Sequence, residues 1–124
     1  MKISLRSNGN TRIVDVAGGV DLKASPEFRR VLFEALGEGS KVALNLAAIT
    51  LIDSSGIAVL LEALLESQRQ KSQFILFGMN EAVHDVFKIT HVAKIFQVTD
   101  TEEQAISAES SHSEVPALNA GNAP

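Results

Sequence analysis

The sequence predicts one α/β domain, an α+β sandwich in which three or four strands alternate with helices. Alternating apolar residues at the start of the chain indicate two strands joined as a hairpin. Later apolar runs are each followed by a helix-start signal and an amphipathic segment, as in crossover connections. The 124 residues are enough for one hydrophobic core and too few for two ordinary domains.

The predicted hairpin begins with Ile3 and Leu5, which alternate with polar residues, and continues with a second strand over residues 13–16. Because Asn10 and Thr11 lengthen the connection, we expect its loop to exceed two residues.

The segment Gly18-Gly19-Val20-Asp21 is interpreted as an acidic turn that ends the second strand. A plain structural turn and a partner-contacting loop are both open interpretations. Ser25-Pro26-Glu27 then predicts a helix start, with Ser25 as the capping hydroxyl. The expected buried stripe of this helix is Phe28, Val31, Leu32, Ala35 and Leu36.

The central stretch predicts a buried strand over Lys41–Leu46 and, after the tetrapeptide Asp53-Ser54-Ser55-Gly56, a packed helix. Free backbone N–H groups at a helix start donate to a Ser or Asp oxygen, so Asp53 or Ser54 is the expected cap. The expected buried stripe is Ile57, Leu60, Leu61, Leu64 and Leu65, widened by Ala58, Val59 and Ala63.

Two interpretations of the tetrapeptide compete. Capping alone is the common role of such residues. A hydroxyl left reachable at this point could also carry an anion, which would meet free N–H groups and the positive end of the helix dipole.

The remaining elements are a strand over Phe74–Phe77, a helix capped by Asn80 with Val83, Val86 and Phe87 inward, and a last helix after Thr101. Thr101 and Gln104 have the spacing of a capping box. Residues 95–98 fit either a short strand or the end of a helical segment.

Composition excludes several classes of function. A net charge of −4 without a run of Lys or Arg argues against direct nucleic-acid binding. The absence of cysteine rules out disulfides and thiolate metal sites and fits a reducing compartment. No long apolar segment is present, so we expect a cytoplasmic protein that does not insert into membranes, with no metal and no cofactor.

An enzyme is not expected. The serine turn lacks the Gly-x-Ser-x-Gly pattern of a nucleophile elbow, and no P-loop is present. None of His84, His91 and His112 is placed by pattern to act as a base for Ser54.

The stretches LNLAAITLIDSSGIAVLL, AGGVDLKASPEF and FILFGMNEAVHDVF resemble the STAS domains of bacterial anti-sigma factor antagonists. The resemblance covers about residues 2–108. It implies a mixed sheet of four or five strands with helices mainly on one face, in a domain over 1–108. The composition after about Ala108, with few apolar residues, predicts a disordered tail over 109–124.

The resemblance also implies roles. Ser54 corresponds to the phosphoacceptor, with Asp53 beside it and Asp21 near the same surface. Gly19 departs from the Glu that is frequent there. The implied partner is an anti-sigma factor that is itself a serine kinase and binds the ATP, with a phosphatase restoring Ser54. The implied partner-binding residues are Asp21, Asp53, Ser54, Ser55, Gly56 and Met79.

A second use of the same fold is open. STAS domains also serve as small cytoplasmic subunits of ATP-binding cassette transporters, including lipid transporters. The segment AVLLEALLESQRQKSQFILFGMNE is similar to that group as well.

Overall fold

The chain opens with the hairpin that the alternating apolar residues predict. In the computed structural model, which describes residues 1–109, β1 (Lys2–Asn8) pairs antiparallel with β2 (Thr11–Val20). Asn8 lies opposite Thr11, so the loop is only Gly9 and Asn10. The expectation of a longer loop was wrong, because Gly9 takes φ +63° and allows a tight reversal.

The sheet has five strands in the order β1-β2-β3-β4-β5, and every pair after the hairpin is parallel. This confirms the mixed sheet of four or five strands. The other strands are β3 (Lys41–Ile52), β4 (Gln73–Phe77) and β5 (Gln97–Thr99). The helices are α1 (Ser25–Ala35), α2 (Ser54–Arg69), α3 (Glu81–Thr90) and α4 (Glu102–Ser107).

The main core lies on one face of the sheet, between the strands and helices α1, α2 and α3. Val42, Leu44 and Leu46 of β3 point into it, because successive side chains of a strand face opposite sides. Phe28 of α1, Leu60 of α2 and Phe87 of α3 are at most 1% exposed there. The helices therefore lie mainly on one face, as expected.

A smaller apolar cluster occupies the opposite face, which we call the second face. Four strand residues form it, and they are buried under Ala105 of α4, the shortest helix. The four are Ile13, Ala43, Ile75 and Phe77.

The glycine pair of β2 is not a turn, contrary to the interpretation from sequence. The strand continues through both glycines to Val20, and the pairing register with β3 shifts between Gly18 and Gly19. Gly18 takes φ +91° and lies against the backbone of Met1. Gly18 thus allows an irregular strand and a close backbone contact.

The predicted cap of α1 was wrong as well. Ser25 is the first helical residue, and its hydroxyl donates to the carbonyl oxygen of Leu22 at 3.1 Å. The carbonyl oxygen of Asp21 instead accepts from the amides of Ala24 and Ser25, at 3.1 and 2.9 Å. This turn before the helix satisfies the amides that a cap would serve.

The buried stripe of α2 is rotated slightly from the predicted one. Val59 and Ala63 are buried, whereas Leu65 is 48% exposed and Ala58 is exposed. The predicted inward residues of α1 are all buried. Residues 93–95 form a short 3-10 helix before β5, which settles the ambiguous segment.

The capping box of Thr101 and Gln104 is present at α4. No helix among residues 1–109 has the length and apolarity needed to cross a bilayer. Most of the predicted tail, residues 110–124, lies outside the described part of the chain.

Candidate functional site

Two acidic residues are brought together where β2 and β3 end. Val20 pairs with Ile52 at the last register position of these parallel strands, and Asp21 and Asp53 follow them. The amide nitrogen of Asp53 donates to the carbonyl oxygen of Val20 at 3.3 Å. The tetrapeptide Asp53–Gly56, here called the site turn, is therefore fixed to the end of β2.

Asp53 is the cap of α2. Its backbone is extended, with φ −108°, and its Oδ1 accepts from the amides of Ser55 at 2.8 Å and Gly56 at 3.3 Å. Of the two caps that the sequence allows, the structure has Asp53. The carboxylate also places a negative charge where the helix dipole favours it.

Ser54 is the first residue of α2 and is exposed, whereas Ser55 is half-buried. Since Asp53 makes the capping bonds, the Ser54 hydroxyl is not needed for them. A group that reacts with a serine hydroxyl could thus reach Ser54 without opening the helix.

Gly56 lets the start of α2 sit directly on the strand ends. A Cβ atom at this position would lie 2.6 Å from Cγ1 of Ile52 and 3.0 Å from Cγ1 of Val20, closer than carbon atoms pack. The glycine is thus required by packing, and its buried position argues that its part in any partner contact is indirect.

Asp21 shapes the neighbouring turn. Its Oδ1 accepts from the amide of Ala24 at 3.0 Å, and the side chain is half-buried. Asp21 and the site turn therefore form one continuous edge of the domain.

Met79 follows β4 and is separated from the site turn. β4 ends with Phe77 opposite Asn45, whereas β3 continues to Ile52 before it reaches the site turn. Met79 is half-buried against the main core. The structure brings five of the six predicted partner-binding residues together at the ends of β2 and β3. Met79 is separate from them and lies beside the middle of β3.

Asn80 fixes the loop that carries Met79. Its Oδ1 accepts from the amide of Val83 at 3.0 Å, so it caps α3 as predicted. Its Nδ2 also donates to the carbonyl oxygens of Ile49 at 2.7 Å and Ala47 at 3.1 Å. The sequence signals the cap but gives no sign of the bonds to β3.

Two exposed leucines flank the site turn, and the sequence interpretation missed both. Leu22 follows Asp21 and is 73% exposed, and Leu51, two residues before Asp53, is 55% exposed. Both side chains are exposed near the site turn and are therefore available to a partner that binds there. Successive side chains of a strand point to opposite faces, so a buried Ile52 implies that its neighbour Leu51 points outward. This alternation is the sequence signal that could have indicated the exposure of Leu51.

The two histidines within residues 1–109 lie on α3 and at its end. His84 is exposed on α3, and His91 is the left-handed residue that ends that helix. His112 lies outside the described residues. Within residues 1–109, no three His, Asp or Glu side chains are grouped as metal ligands.

The mixed sheet, the helices on one face and the capped serine turn define a small α/β domain built to present one helix N-terminus at its surface. The chain belongs to the STAS domain family, whose profile matches residues 2–105.

Similar proteins carry related names. An anti-sigma-B factor antagonist of Listeria monocytogenes is 26% identical over 88 residues, which cover 70% of this chain and 77% of that protein. The crystal structure of an anti-sigma factor antagonist from Mycobacterium paratuberculosis superposes with a TM-score of 0.77 at 16% identity, covering 86% and 91% of the two chains. The phosphorylated form of the Bacillus cell fate determinant SpoIIAA superposes with a TM-score of 0.65 at 23% identity, covering 85% and 96%.

Proposed function

We propose that this protein is a cytoplasmic anti-sigma factor antagonist and not an enzyme. In this proposal it binds an anti-sigma factor through the edge formed by Asp21, the site turn and the two exposed leucines. The anti-sigma factor is a serine kinase, it holds the ATP, and it phosphorylates Ser54. A phosphatase removes the phosphate and restores binding.

The observation that carries the proposal is the position of Ser54. It is exposed at the first position of α2, while Asp53 makes the capping bonds that a serine could otherwise make. A kinase can therefore modify the hydroxyl without unfolding the helix. The names of the relatives and the phosphorylated form of a protein with the same fold support this assignment.

Phosphorylation would act as a switch through charge. A phosphate on Ser54 adds about −1.5 to −2 charges at pH 7 next to Asp53. The N–H groups and dipole of α2 can accommodate that charge within the domain. A partner surface fitted to a neutral hydroxyl cannot, and an unpaired charge in an interface costs several kcal/mol, or about a hundredfold or more in affinity.

Affinity capture from a native lysate tests the proposal. The baits are the wild-type chain, Ser54→Asp and a control, Ser7→Asp, which adds the same charge at the other end of the sheet. We expect a soluble kinase with an ATP-binding domain to be retained by the wild-type and Ser7→Asp baits and lost from Ser54→Asp. Incubation of that kinase with ATP and the wild-type chain should phosphorylate Ser54, as read by mass spectrometry, and should not phosphorylate Ser54→Ala.

Two results would contradict the proposal. Retention of a membrane transporter ATPase would assign the chain to the transporter subunits that use this fold. Equal retention of a kinase by the wild-type and Ser54→Asp baits would show that charge at the site turn does not control binding.

A further inference from the structure

Helix α4 is a small element held on the second face mainly by polar bonds. It has six residues, and Ala105 is its one fully buried residue. Isolated helices shorter than about 12 residues are marginal in water. Released from the sheet, α4 would therefore not persist as a helix.

The start of α4 is held by a charged cluster. Glu102 accepts two hydrogen bonds from Arg6, at 2.7 and 3.0 Å, and one from Asn8 at 2.8 Å. Its side chain is only 19% exposed. Forked bonds of this kind are among the stronger charged contacts in proteins.

The end of α4 is held by donors from the sheet. The ammonium group of Lys41 donates to the carbonyl oxygens of Ile106 and, at 2.8 Å, of Ala108. Gln73 donates to the same Ala108 oxygen at 3.2 Å. These bonds satisfy carbonyl groups that a helix end leaves free.

The cluster at the start of α4 continues across the sheet. The other edge of the Arg6 guanidinium donates to Asp15 at 2.6 and 3.2 Å. Asp15 in turn accepts from Nδ2 of Asn45 at 2.9 Å. A connected row of hydrogen bonds thus runs from α4 across β1 and β2 to β3.

Asn45 stands where the pairing of β3 with β2 becomes irregular. Asp15 pairs with Asn45, but Ala17 pairs with Ala48, so β3 has an extra residue between these positions. The amide of Ala47 donates to Oδ1 of Asn45 at 3.1 Å, in place of a regular ladder bond.

The same stretch of β3 is held from its other side by Asn80, through the carbonyl oxygens of Ala47 and Ile49. The peptide groups of Ala47 are therefore fixed by Asn45 at the nitrogen and by Asn80 at the oxygen. From this point β3 leads directly to Asp53 and the site turn.

We propose that α4 is a detachable cover of the second face, and that its docking is transmitted through Arg6, Asp15 and Asn45 to the irregular part of β3. When α4 leaves, Arg6 loses the partner that fixes its position, and the carboxylate of Asp15 is no longer held in place for Asn45. The bulge then relaxes, and with it the strand that supports the site turn. A molecule that binds or displaces α4 would thereby alter partner binding, a consequence that rests on the proposed function; the coupling itself does not.

Amide NMR of the full chain tests both steps. The variant is Glu102→Gln, and the matched control is Glu103→Gln, which removes the same charge from an exposed neighbour on the same helix. We expect Glu102→Gln to speed hydrogen exchange at the Ala105 amide about tenfold, because it weakens a charge-assisted pair. Exchange at Leu44 in the central strand should not change, and the amides of Ala47 and Ile49 should shift more than in Glu103→Gln.

A variant at Asn45 tests the route. In Asn45→Ser, Glu102→Gln should still speed exchange at Ala105 but should no longer shift Ile49, since serine is too short to bridge to Asp15. If Asn45→Ser does not fold, the comparison of Glu102→Gln with Glu103→Gln decides the coupling by itself.

Three outcomes would overturn the proposal. Unchanged exchange at Ala105 would show that Glu102 does not hold α4. Equal acceleration at Ala105 and Leu44 would show that α4 opens only with the whole domain. Faster exchange at Ala105 without a specific shift at Ala47 and Ile49 would show that docking is not transmitted.

Discussion

The amide nitrogen of Asp53 lies 3.3 Å from the carbonyl oxygen of Val20, which joins the start of α2 to the end of β2. Asp53 thus contributes to two elements at once, with its backbone to the sheet and its carboxylate to the helix. Because both bonds come from one residue, the orientation of Ser54 depends on the strand ends.

The contribution of the Asp53 capping bonds to stability can be tested separately from that of the Asp53 charge. We expect Asp53→Ala to lower the free energy of unfolding by about 1 kcal/mol, because the amides of Ser55 and Gly56 lose their acceptor. Asp53→Asn keeps an acceptor oxygen and should lie within about 0.5 kcal/mol of the wild type. Urea unfolding followed by circular dichroism measures both values.

Asp85→Ala is the control, since Asp85 is exposed on α3 and should change stability little. Equal stability of Asp53→Ala and Asp53→Asn would show that the capping bonds contribute nothing measurable.

Gly56 should not tolerate a side chain. Alanine would place a Cβ atom 2.6 Å from Ile52, so we expect Gly56→Ala to destabilise the fold by about 1–3 kcal/mol through overpacking. Thermal unfolding measures the loss as a lower melting temperature.

Gly19→Ala provides the comparison. A Cβ atom there would meet Leu51 at 3.8 Å, an ordinary contact, and should be nearly neutral. A Gly56→Ala variant as stable as Gly19→Ala would contradict the tight packing of α2 on the strand ends.

Asn80 should not be replaceable by aspartate, although aspartate is an equally good helix cap. In Asn80→Asp the cap of α3 persists, but a carboxylate oxygen replaces the amide that donates to Ala47 and Ile49. Facing acceptors repel and the carbonyl groups lose their donor, so we expect a loss of about 1–3 kcal/mol in urea unfolding.

The reverse substitution at the other cap is the control. Asp53→Asn should be nearly neutral, so the two exchanges between Asn and Asp should differ in size. An Asn80→Asp variant as stable as the wild type would show that the bonds to β3 do not contribute.

Acid should weaken the charged cluster at α4. Hydrogen bonds from Arg6 hold the pKa of Glu102 below its ordinary value of 4.5 and that of Asp15 below 3.8, assisted by Asn8 and Asn45 respectively. Lowered folded-state pKa values contribute stability that is full above the ordinary values and is lost as the pH falls through the lowered ones. We expect Arg6→Gln to remove about 1 kcal/mol of this pH dependence, since the cluster is partly exposed.

Urea unfolding over a series from about pH 6 to pH 3 measures the slope. The control is Arg12→Gln, because Arg12 donates to the carbonyl oxygen of Ala35 and not to a carboxylate. Arg12→Gln should keep the wild-type slope, whatever its absolute stability. A steeper or unchanged slope in Arg6→Gln would contradict the assignment of these pKa shifts to Arg6.

The sequence by itself determined the main helices and strands and the residues of the site turn. Local patterns in the sequence predict strand alternation, helix periodicity and the capping box of Thr101 and Gln104. Each of these features depends only on residues a few positions apart. The site turn was also predicted from four consecutive residues, but they left Asp53 and Ser54 as alternative caps, and the structure decided for Asp53 and left Ser54 exposed.

Sequence signals that allow two local conformations were less reliable predictors of the structure. Ser25 has the right type and position for a cap, yet the turn at Asp21 satisfies the helix start through backbone bonds. The pair Gly18 and Gly19 resembles a turn, but a parallel neighbour holds it within a strand. A local backbone turn decided the first case and pairing with a distant strand decided the second, in each case between conformations that the residue types allow.

Only the tertiary structure decided how distant segments meet. Arg6 and Glu102 are 96 positions apart and come together because α4 folds back over the second face. Asp21 and Asp53 come to the same edge of the domain because β2 and β3 end side by side. Such contacts depend on the packing of whole elements, and one residue's local preferences carry no information about which distant residue it will meet.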